Sequence, residues 1–275
     1  MRKIKAPSFD LRKTLECGQF FNYFEEDGVF FVVDGLNFFT IKQSGQYLYF
    51  DGNVNEASII NFFSLNLDYE KMINQLSKDK IINSAIKRSY GLRIINQELF
   101  QCMISFICSS ASNVPKIKKN ILSISKSFGK PVTFKDRQLF LFPRPKQISD
   151  LELIKQSSAG FRSKYIFQCS EIATEELLEK IKKSAYPDAK KILMSFNGIG
   201  DKVSECICLF SLKFYDAFPV DVWIKRETER LYFNSETKTK EFISSFFKEY
   251  FGQYAGYAQE FLFYDARNSQ STKGN

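Results

Sequence analysis

Two side chains in the C-terminal half of the sequence could act together as a nucleophile and a charge stabiliser. The first, Lys202, follows the turn Asn197-Gly198-Ile199-Gly200 and lies in the predicted first turn of a helix. The positive end of the helix dipole disfavours a cation there, which favours the neutral, nucleophilic form of the amine. A tolerated surface charge is the structural alternative, and this lysine alone does not decide between them.

Asp221 is the second of these side chains. It follows Phe218-Pro219-Val220 and precedes an apolar-periodic stretch, residues 222–233, so it is predicted to be a helix N-cap. Capping alone would explain an aspartate at this position. A carboxylate fixed at a helix start is also rigid, which suits the stabilisation of a cationic transition state.

The turn before Lys202 has a composition that suits a bound phosphate. Residues 190–214 are predicted to form a helix, a tight turn and a second helix that runs from Asp201 to Phe214. Gly198 and Gly200 permit positive φ and the close approach of another backbone. Bare N–H groups at a helix start attract anions. An ordinary hairpin with a glycine cap remains open on this evidence alone.

The charged and sulfur-containing residues limit the possible chemistry. The chain has 39 Lys and Arg against 31 Asp and Glu, a formal charge of +8 that favours a polyanionic partner such as nucleic acid. It has no histidine, which excludes the commonest general base and metal ligand. Its six cysteines form no CxxC pair and lie mostly in apolar runs. We expect reduced, buried thiols and no metal site.

Two kinds of periodicity predict the elements that position these residues. Short runs rich in Phe, Val, Ile and Tyr, separated by turn dipeptides such as Asp27-Gly28, predict an antiparallel meander near the N-terminus. From about Asn53 onward, apolar residues recur at three- and four-residue intervals, which predicts helices. The expected fold class is α+β, with an antiparallel β-sheet domain followed by a mostly helical core.

We divide the chain into a β-rich domain with trailing helices, residues 1–85, and a helical domain of two subdomains, residues 86–275. The last residues, 269–275, are predicted to be a frayed tail. The first ten residues contain no apolar stretch, and no window approaches the length of a membrane span. We therefore expect neither a signal peptide nor a transmembrane helix.

Several separated motifs together resemble the helix-hairpin-helix DNA glycosylases, and among them the 8-oxoguanine glycosylases. GIGDKVSECICLF contains Lys202, FPVDVW contains Asp221, and LECGQFFNYF, FQCMISFICSS, GFRSKYI and YAGYAQEFLF follow the order of the family. The resemblance covers nearly the whole chain. It implies a bifunctional DNA N-glycosylase and abasic-site lyase without a cofactor. Lys202 would attack C1′ of a flipped nucleotide, and Asp221 would stabilise the sugar cation.

The resemblance also implies roles for other residues. Substrate-binding roles are implied for Gly18, Cys206, Gln259 and Phe263, and DNA-binding roles for Asn113, Phe161, Arg162, Gly198, Gly200, Trp223 and Arg226. The Gly18 carbonyl would accept a hydrogen bond from N7–H of 8-oxoguanine, a hydrogen that guanine lacks. Gln259 would read the Watson–Crick edge, and Phe161 would fill the gap left by the flipped base. Cys206 and Phe263 would sandwich the purine, although core packing is the commoner role of such residues.

Some positions depart from the family pattern. Trp223 stands where many members carry a histidine, and Arg226 could supply the phosphate contact instead. Ala111 and Lys116 replace an Asn and an Arg that eukaryotic members place beside the orphaned cytosine. Related enzymes bind an iron–sulfur cluster through four C-terminal cysteines. No cysteine follows Cys208 here, so we expect no such cluster.

Two alternative functions remain open in the sequence. One is a related glycosylase that removes alkylated bases or mispaired adenine, but members that only hydrolyse the base lack a lysine at the position of Lys202. The other is a non-catalytic DNA-binding module, which would need neither Asp221 nor a purine pocket. The expected partner is double-stranded DNA containing an oxidised purine. The protein is expected to be a cytoplasmic monomer, associated with the nucleoid in a prokaryote.

Overall fold

A five-stranded antiparallel sheet forms the N-terminal part of the molecule. The computed structural model describes residues 1–271, with side chains up to residue 268. The strands are β1 (Arg2–Lys5), β2 (Tyr23–Glu26), β3 (Val29–Asp34), β4 (Asn37–Ser44) and β5 (Tyr47–Gly52). Their order across the sheet is β1-β5-β4-β3-β2, so β2 to β5 form the predicted meander.

Tight turns set the register of this meander. Asp27 and Gly28 have φ values of 50° and 75°, the left-handed conformation that a two-residue hairpin requires. The turn pairs Phe24 with Phe31 across β2 and β3. The two rings stack with centroids 4.7 Å apart, a cross-strand contact that stabilises the pair.

Helices form most of the remaining chain, as the periodicity predicts. They are α1 (Leu11–Glu16), α2 (Glu56–Phe62), α3 (Tyr69–Leu76), α4 (Lys80–Ser89), α5 (Leu99–Ile107), α6 (Val114–Phe128), α7 (Leu151–Gln156), α8 (Ser163–Ile172), α9 (Glu175–Lys183), α10 (Tyr186–Met194), α11 (Asp201–Leu212), α12 (Val222–Tyr232), α13 (Lys240–Phe251) and α14 (Ala255–Ser271). Short 3₁₀ turns at Gly160–Arg162 and Gly252–Tyr254 precede α8 and α14. No helix among the described residues has both the length and the apolar character needed to cross a membrane.

The predicted helical hairpin is formed by α10 and α11. Helix α11 begins at Asp201 as predicted but ends at Leu212, two residues before the predicted Phe214. It ends there because Lys213 adopts the left-handed conformation, with φ of 58°. Ile199, between the two glycines of the turn, is 3% exposed and packs in the main helical core.

A second β-hairpin, β6 (Pro131–Phe134) and β7 (Arg137–Phe140), is not predicted by the sequence analysis. Its turn residues Lys135 and Asp136 have positive φ without a glycine, so the usual turn signal is missing. The hairpin covers the outer face of the sheet, where Leu139 packs in one apolar cluster with Phe31 and Val33.

The buried apolar residues form two larger cores. One lies under the sheet, and the other joins α3 and α4 to the helices of the C-terminal half. The predicted domain boundary between residues 85 and 86 falls inside α4, so the division into 1–85 and 86–275 stays a prediction. The tail predicted at 269–275 begins within α14, and residues 272–275 lie outside the described residues.

Candidate active site

A cavity of about 240 Å³ opens where α11 faces the start of α6, the start of α12 and one side of α14. The turn after α1 and the end of α5 complete its walls. It brings together eight of the predicted site residues, namely Gly18, Asn113, Lys202, Cys206, Asp221, Trp223, Gln259 and Phe263. The other five, Phe161, Arg162, Gly198, Gly200 and Arg226, lie outside its lining.

Lys202 occupies the first turn of α11, as predicted, and is partly buried. Its Nζ lies 3.1 Å from Ser109 Oγ, to which it donates a hydrogen bond. The Ser109 hydroxyl in turn donates to the Phe106 carbonyl at 2.7 Å. Nζ also lies 5.4 Å from the centroid of the Phe106 ring. Because the Ser109 O–H points to the Phe106 carbonyl, a lone pair on the Ser109 oxygen is available to accept from Lys202. These contacts hold the amine at the cavity wall.

Asp221 is the N-cap of α12, which confirms the predicted cap. Its backbone is extended, with φ of −88° and ψ of −173°, and its Oδ1 accepts a hydrogen bond from Ile224 N at 2.8 Å. Capping fixes the rotamer of the carboxylate, which lines the same cavity as Lys202. A lysine and an aspartate from two different helices therefore line the same cavity.

Gly18 closes the cavity from the side of the N-terminal region. Its φ is 109°, a conformation that side chains rarely adopt. A Cβ atom at this position would lie 3.0 Å from Val114 Cγ2 and 3.6 Å from the Phe263 ring. The backbone conformation therefore favours glycine, the space for a side chain is tight, and the Gly18 backbone lies directly against the cavity.

Known proteins match both this sequence and this fold. A family model for the N-terminal domain of 8-oxoguanine DNA glycosylase matches residues 2–103. A solved structure of MBOgg1 with a low affinity DNA ligand is 35% identical, covers 98% of this chain and 96% of its own, and has a TM-score of 0.90. The chain belongs to the 8-oxoguanine DNA glycosylase family.

Two further relatives extend over almost the whole glycosylase. The Clostridium acetobutylicum 8-oxoguanine glycosylase/lyase, solved with double-stranded DNA containing cytosine opposite 8-oxoguanine, is 30% identical. The match covers 98% of this chain and 99% of that one, with a TM-score of 0.89. A probable N-glycosylase/DNA lyase of Methanothermobacter thermautotrophicus is 27% identical over 97% of this chain and 96% of the relative.

Three acceptor atoms in the cavity of this glycosylase lack hydrogen-bond partners among the described residues. They are Gln259 Oε1, Glu260 Oε1 and Ser112 Oγ. Gln259 is 5% exposed and Glu260 is 2% exposed. Buried polar atoms are normally paired, so unpaired ones in a cavity mark positions that a bound molecule can satisfy.

Cys206 and Phe263 supply apolar surface to the cavity. Cys206 is 3% exposed, and burial raises the pKa of its thiol to about 12. The thiol therefore stays protonated at neutral pH and does not compete with Lys202 as a nucleophile. Phe263 is partly buried and packs against the helical core. Both positions are compatible with contacts to the faces of a flat aromatic base.

The glycines of the hairpin turn have different surroundings. Gly198 has a φ of 86°, and a Cβ there would lie 2.7 Å from the Tyr165 side chain, so only glycine fits. Gly200 is the N-cap of α11 and has open space where a Cβ would be. An anion can therefore approach the N-terminus of α11, whereas Gly198 serves the packing of the turn.

The remaining predicted DNA-binding residues divide into exposed and buried ones. Phe161 is 62% exposed in the 3₁₀ turn before α8, and Trp223 is 43% exposed with the Arg226 guanidinium 5.7 Å from its ring. Arg162 is only 2% exposed. Its Nε donates to the Ala159 carbonyl at 2.9 Å and its Nη1 to the Ser110 carbonyl at 2.5 Å. Contact of these residues with DNA stays a prediction.

Ser109 and Glu260 are among the cavity residues that the sequence analysis does not single out. Ser109 gives no distinguishing signal, because a serine after an apolar helix is common at helix ends. Glu260 does give one, since it is an acidic residue inside the otherwise apolar segment YAQEFLF. An acid on the buried side of a helix requires either a partner or a function.

Proposed function

We propose that this glycosylase excises 8-oxoguanine from duplex DNA with Lys202 as the nucleophile and Asp221 as its carboxylate partner, and then cleaves the strand as a lyase. The observation that supports this is the shared cavity, where an amine and a helix-capping carboxylate face unpaired buried acceptors. The cavity volume suits one nucleobase. Binding a longer stretch of DNA within it is excluded by its size.

The damaged nucleotide must leave the duplex to reach Lys202. C1′ of a stacked nucleotide is covered by its neighbours, so a buried amine cannot attack it without base flipping. Phe161 is exposed, and its ring can stack in the gap that the flipped base leaves. The open N-terminus of α11, after Gly200, would bind a backbone phosphate beside the cavity.

The two reacting side chains have complementary tasks. Lys202 Nζ forms a bond to C1′ while the C1′–N9 bond breaks, and the electron pair leaves with the base, which takes up a proton. Asp221 stabilises the positive charge that develops on the sugar. The sugar ring then opens to give a Schiff base. Loss of a C2′ proton expels the 3′ phosphate and cuts the strand.

Selection of the oxidised base would come from the acceptors. The Gly18 carbonyl would accept from N7–H, which guanine does not have. Gln259 Oε1, buried and without a partner among the described residues, would accept from the Watson–Crick edge. A site that must hydrogen-bond its substrate rejects a base that leaves its buried groups unpaired.

We also propose that the enzyme works as a monomer in the cytoplasm, where its DNA substrate would be the nucleoid of a prokaryotic host. All six cysteines are buried and unbonded, which suits a reducing compartment.

The decisive experiment is a gel assay on four duplexes that contain 8-oxoguanine, an alkylated purine, mispaired adenine or no damage. We expect base release and strand cleavage for the 8-oxoguanine duplex, with a covalent adduct when borohydride is present. Release from only the alkylated or adenine duplex would favour a related glycosylase. Binding without any release would favour a non-catalytic DNA-binding module.

Lys202→Gln tests the nucleophile directly. The amide cannot form a Schiff base, so we expect no borohydride adduct and a loss of strand cleavage of roughly a thousandfold or more. Binding to damaged duplex should persist. Lys240→Gln is the matched control, since Lys240 is an exposed lysine in the first turn of α13. Normal trapping by the Lys202 variant would contradict the assignment.

A further inference from the structure

Glu260 is a buried acid in the cavity for which the mechanism above has no use. It follows Gln259 in α14, is 2% exposed and lines the cavity. Its Oε1 has no hydrogen-bond partner among the described residues. A carboxyl group in this position needs a bound molecule to satisfy it.

Titratable groups from several elements face Glu260. They are Cys17 at the end of α1, Cys206 on α11, Asp221 at the start of α12, and Arg267 on α14 itself. Cys206 also interacts with Lys202 on the same helix. Burial raises the pKa of Glu260 to about 7, and the negative charge of Asp221 acts in the same direction. The Cys17 thiol and the Arg267 guanidinium act against that rise. A neutral, proton-carrying Glu260 is therefore well populated near neutral pH.

The position of Glu260 can be related to the atoms of the flipped base. In a purine, C8 is bonded both to N7 and to N9, so O8 of 8-oxoguanine lies between these two nitrogens. The Gly18 carbonyl would bind N7–H, and Asp221 would lie at the sugar attached to N9. Glu260 interacts with Cys17, the neighbour of Gly18, and with Asp221. Its carboxyl group therefore shares the cavity wall with the two groups that bracket O8.

We propose that Glu260, in its neutral form, donates a hydrogen bond to O8 of the flipped 8-oxoguanine. This inference rests on the proposed function. When the C1′–N9 bond breaks, the electron pair spreads over N9, C8 and O8, so a donor at O8 stabilises the departing base. The proton stays on Glu260, and no further reactant is needed. Guanine has a hydrogen at C8 in place of this acceptor, so the contact also adds to selectivity.

The pH dependence follows from the form of Glu260 that is active. As the pH rises through about 7, the carboxyl loses its proton, cannot donate, and repels both O8 and Asp221. Glutamine at the same position keeps an N–H donor at every pH. All other groups are the same in the two proteins, so the ratio of wild-type to Glu260→Gln rates isolates the contribution of Glu260.

The test is single-turnover release of 8-oxoguanine by the wild type, Glu260→Gln and Glu260→Leu between about pH 6 and about pH 9. We expect the ratio of wild type to Glu260→Gln to fall roughly tenfold or more across this range. At the acid end, Glu260→Leu should be slower than wild type by about tenfold, because it has no donor. Its loss in base release should exceed its loss in cleavage at a preformed abasic site, where no base fills the cavity.

Glu249→Gln is the matched control, an exposed glutamate on α13 whose replacement should leave the wild-type profile unchanged. The nearly isosteric Glu260→Gln carries the test alone if Glu260→Leu does not fold. A ratio that is flat, or that rises with pH, would overturn the inference while the proposed function stands. Absence of 8-oxoguanine release by the wild type would overturn the proposed function and this inference with it.

Discussion

Helix α11 has two buried polar regions of opposite character. One contains Lys202 and opens to the cavity, where Gln259 and Glu260 present unpaired oxygens. The other contains Glu205, whose side chain is fully buried and lies outside the cavity lining. Both carboxylate oxygens of Glu205 accept hydrogen bonds from other parts of the fold, so the two regions show how the same helix serves binding and structure.

Glu205 joins four segments of the chain. Its Oε1 accepts hydrogen bonds from Tyr186 at 2.6 Å and Lys190 at 2.6 Å, both on α10, and from Lys248 on α13 at 2.9 Å. Its Oε2 accepts from Phe218 N at 2.9 Å, in the loop that leads to Asp221. Glu205 is thus a positioning residue that ties the hairpin to the Asp221 loop.

The two buried glutamates differ in charge state. Burial raises the pKa of both, but at Glu205 the nearby Lys248 and Lys190 outweigh burial and hold the pKa below its ordinary value. Glu260 has no such pair of lysines, and its pKa rises to about 7. A buried acid paired by lysines stabilises the fold, whereas a buried acid left partly unpaired in a cavity indicates a ligand contact.

The largest effect is expected at Asp221, where a helix cap and a proposed reactive group are the same side chain. Asp221→Asn should lower the single-turnover rate of base release by about 100- to 1000-fold, because an amide cannot offset positive charge on the sugar. The melting temperature should hardly change, since Asn is an equally good N-cap. Rapid-quench kinetics and a thermal melt measure the two effects on one sample.

Asp150→Asn provides the control for capping, because Asp150 caps α7 away from the cavity. It should leave base release unchanged. An Asp221→Asn enzyme of normal rate would mean that the carboxylate is only a cap. If the variant is inactive and circular dichroism shows that it is unfolded, the result would support only a stabilising role for the Asp221 carboxylate.

At Glu205 the expected effect is on stability. Glu205→Leu leaves Lys190 and Lys248 without their shared carboxylate, and removing one partner of a buried ion pair costs about 3 to 5 kcal/mol in the free energy of unfolding. Urea denaturation of wild type and variant measures this difference. A loss below about 1 kcal/mol would show that the cluster is not needed for the fold.

The stability contributed by Glu205 should also depend on pH. Because its folded pKa lies below the ordinary value of 4.5, the contribution is present above that value and is lost as the pH falls through the folded pKa. The stability difference between wild type and Glu205→Gln should therefore shrink in acid. A difference that grew in acid would contradict the lowered pKa.

Local signals predicted the segments with a single dominant pattern. The meander followed from apolar runs between turn dipeptides, and the start of α11 and the cap at Asp221 followed from glycine and capping rules. The Lys202 and Asp221 pair was recognisable because both stand at helix starts. Their common cavity is a tertiary fact, consistent with that prediction.

Features that depend on long-range packing could not be predicted. The β6–β7 hairpin lacks a glycine turn and gains its stability by covering Phe31 and Val33 of a distant sheet. Ser109 contacts Lys202 only because α5 packs against α11. The burial of Arg162 likewise depends on the fold, since its guanidinium reaches the carbonyls of a loop far away in the sequence.

The smallest expected effect is the preference for the base opposite the lesion, and the contacts of Arg162 bear on it directly. Recognition of an orphaned cytosine needs donors for its O2 and N3 and an acceptor for its N4 amine. Ala111 has no side-chain hydrogen bond to offer, and Lys116 is a flexible point donor without the planar fork of arginine. Arg162 keeps the family's residue type, but its Nε and Nη1 already donate to the carbonyls of Ala159, Ser110 and Ala111.

Each lost contact to a base removes roughly 1 to 3 kcal/mol of discrimination, so we expect 8-oxoguanine to be excised opposite cytosine, thymine or adenine with modest differences. Single-turnover excision from three duplexes that differ only in this base measures the preference.

Ala111→Asn should raise the preference for cytosine by at least about fivefold, because it restores a hydrogen-bonding side chain. The change is compatible with the backbone, since Ala111 has a φ of 47° and Asn tolerates the left-handed conformation better than most residues. A wild-type preference for cytosine of about a hundredfold or more would mean that Arg162 leaves its carbonyl partners on DNA binding and reads cytosine by itself.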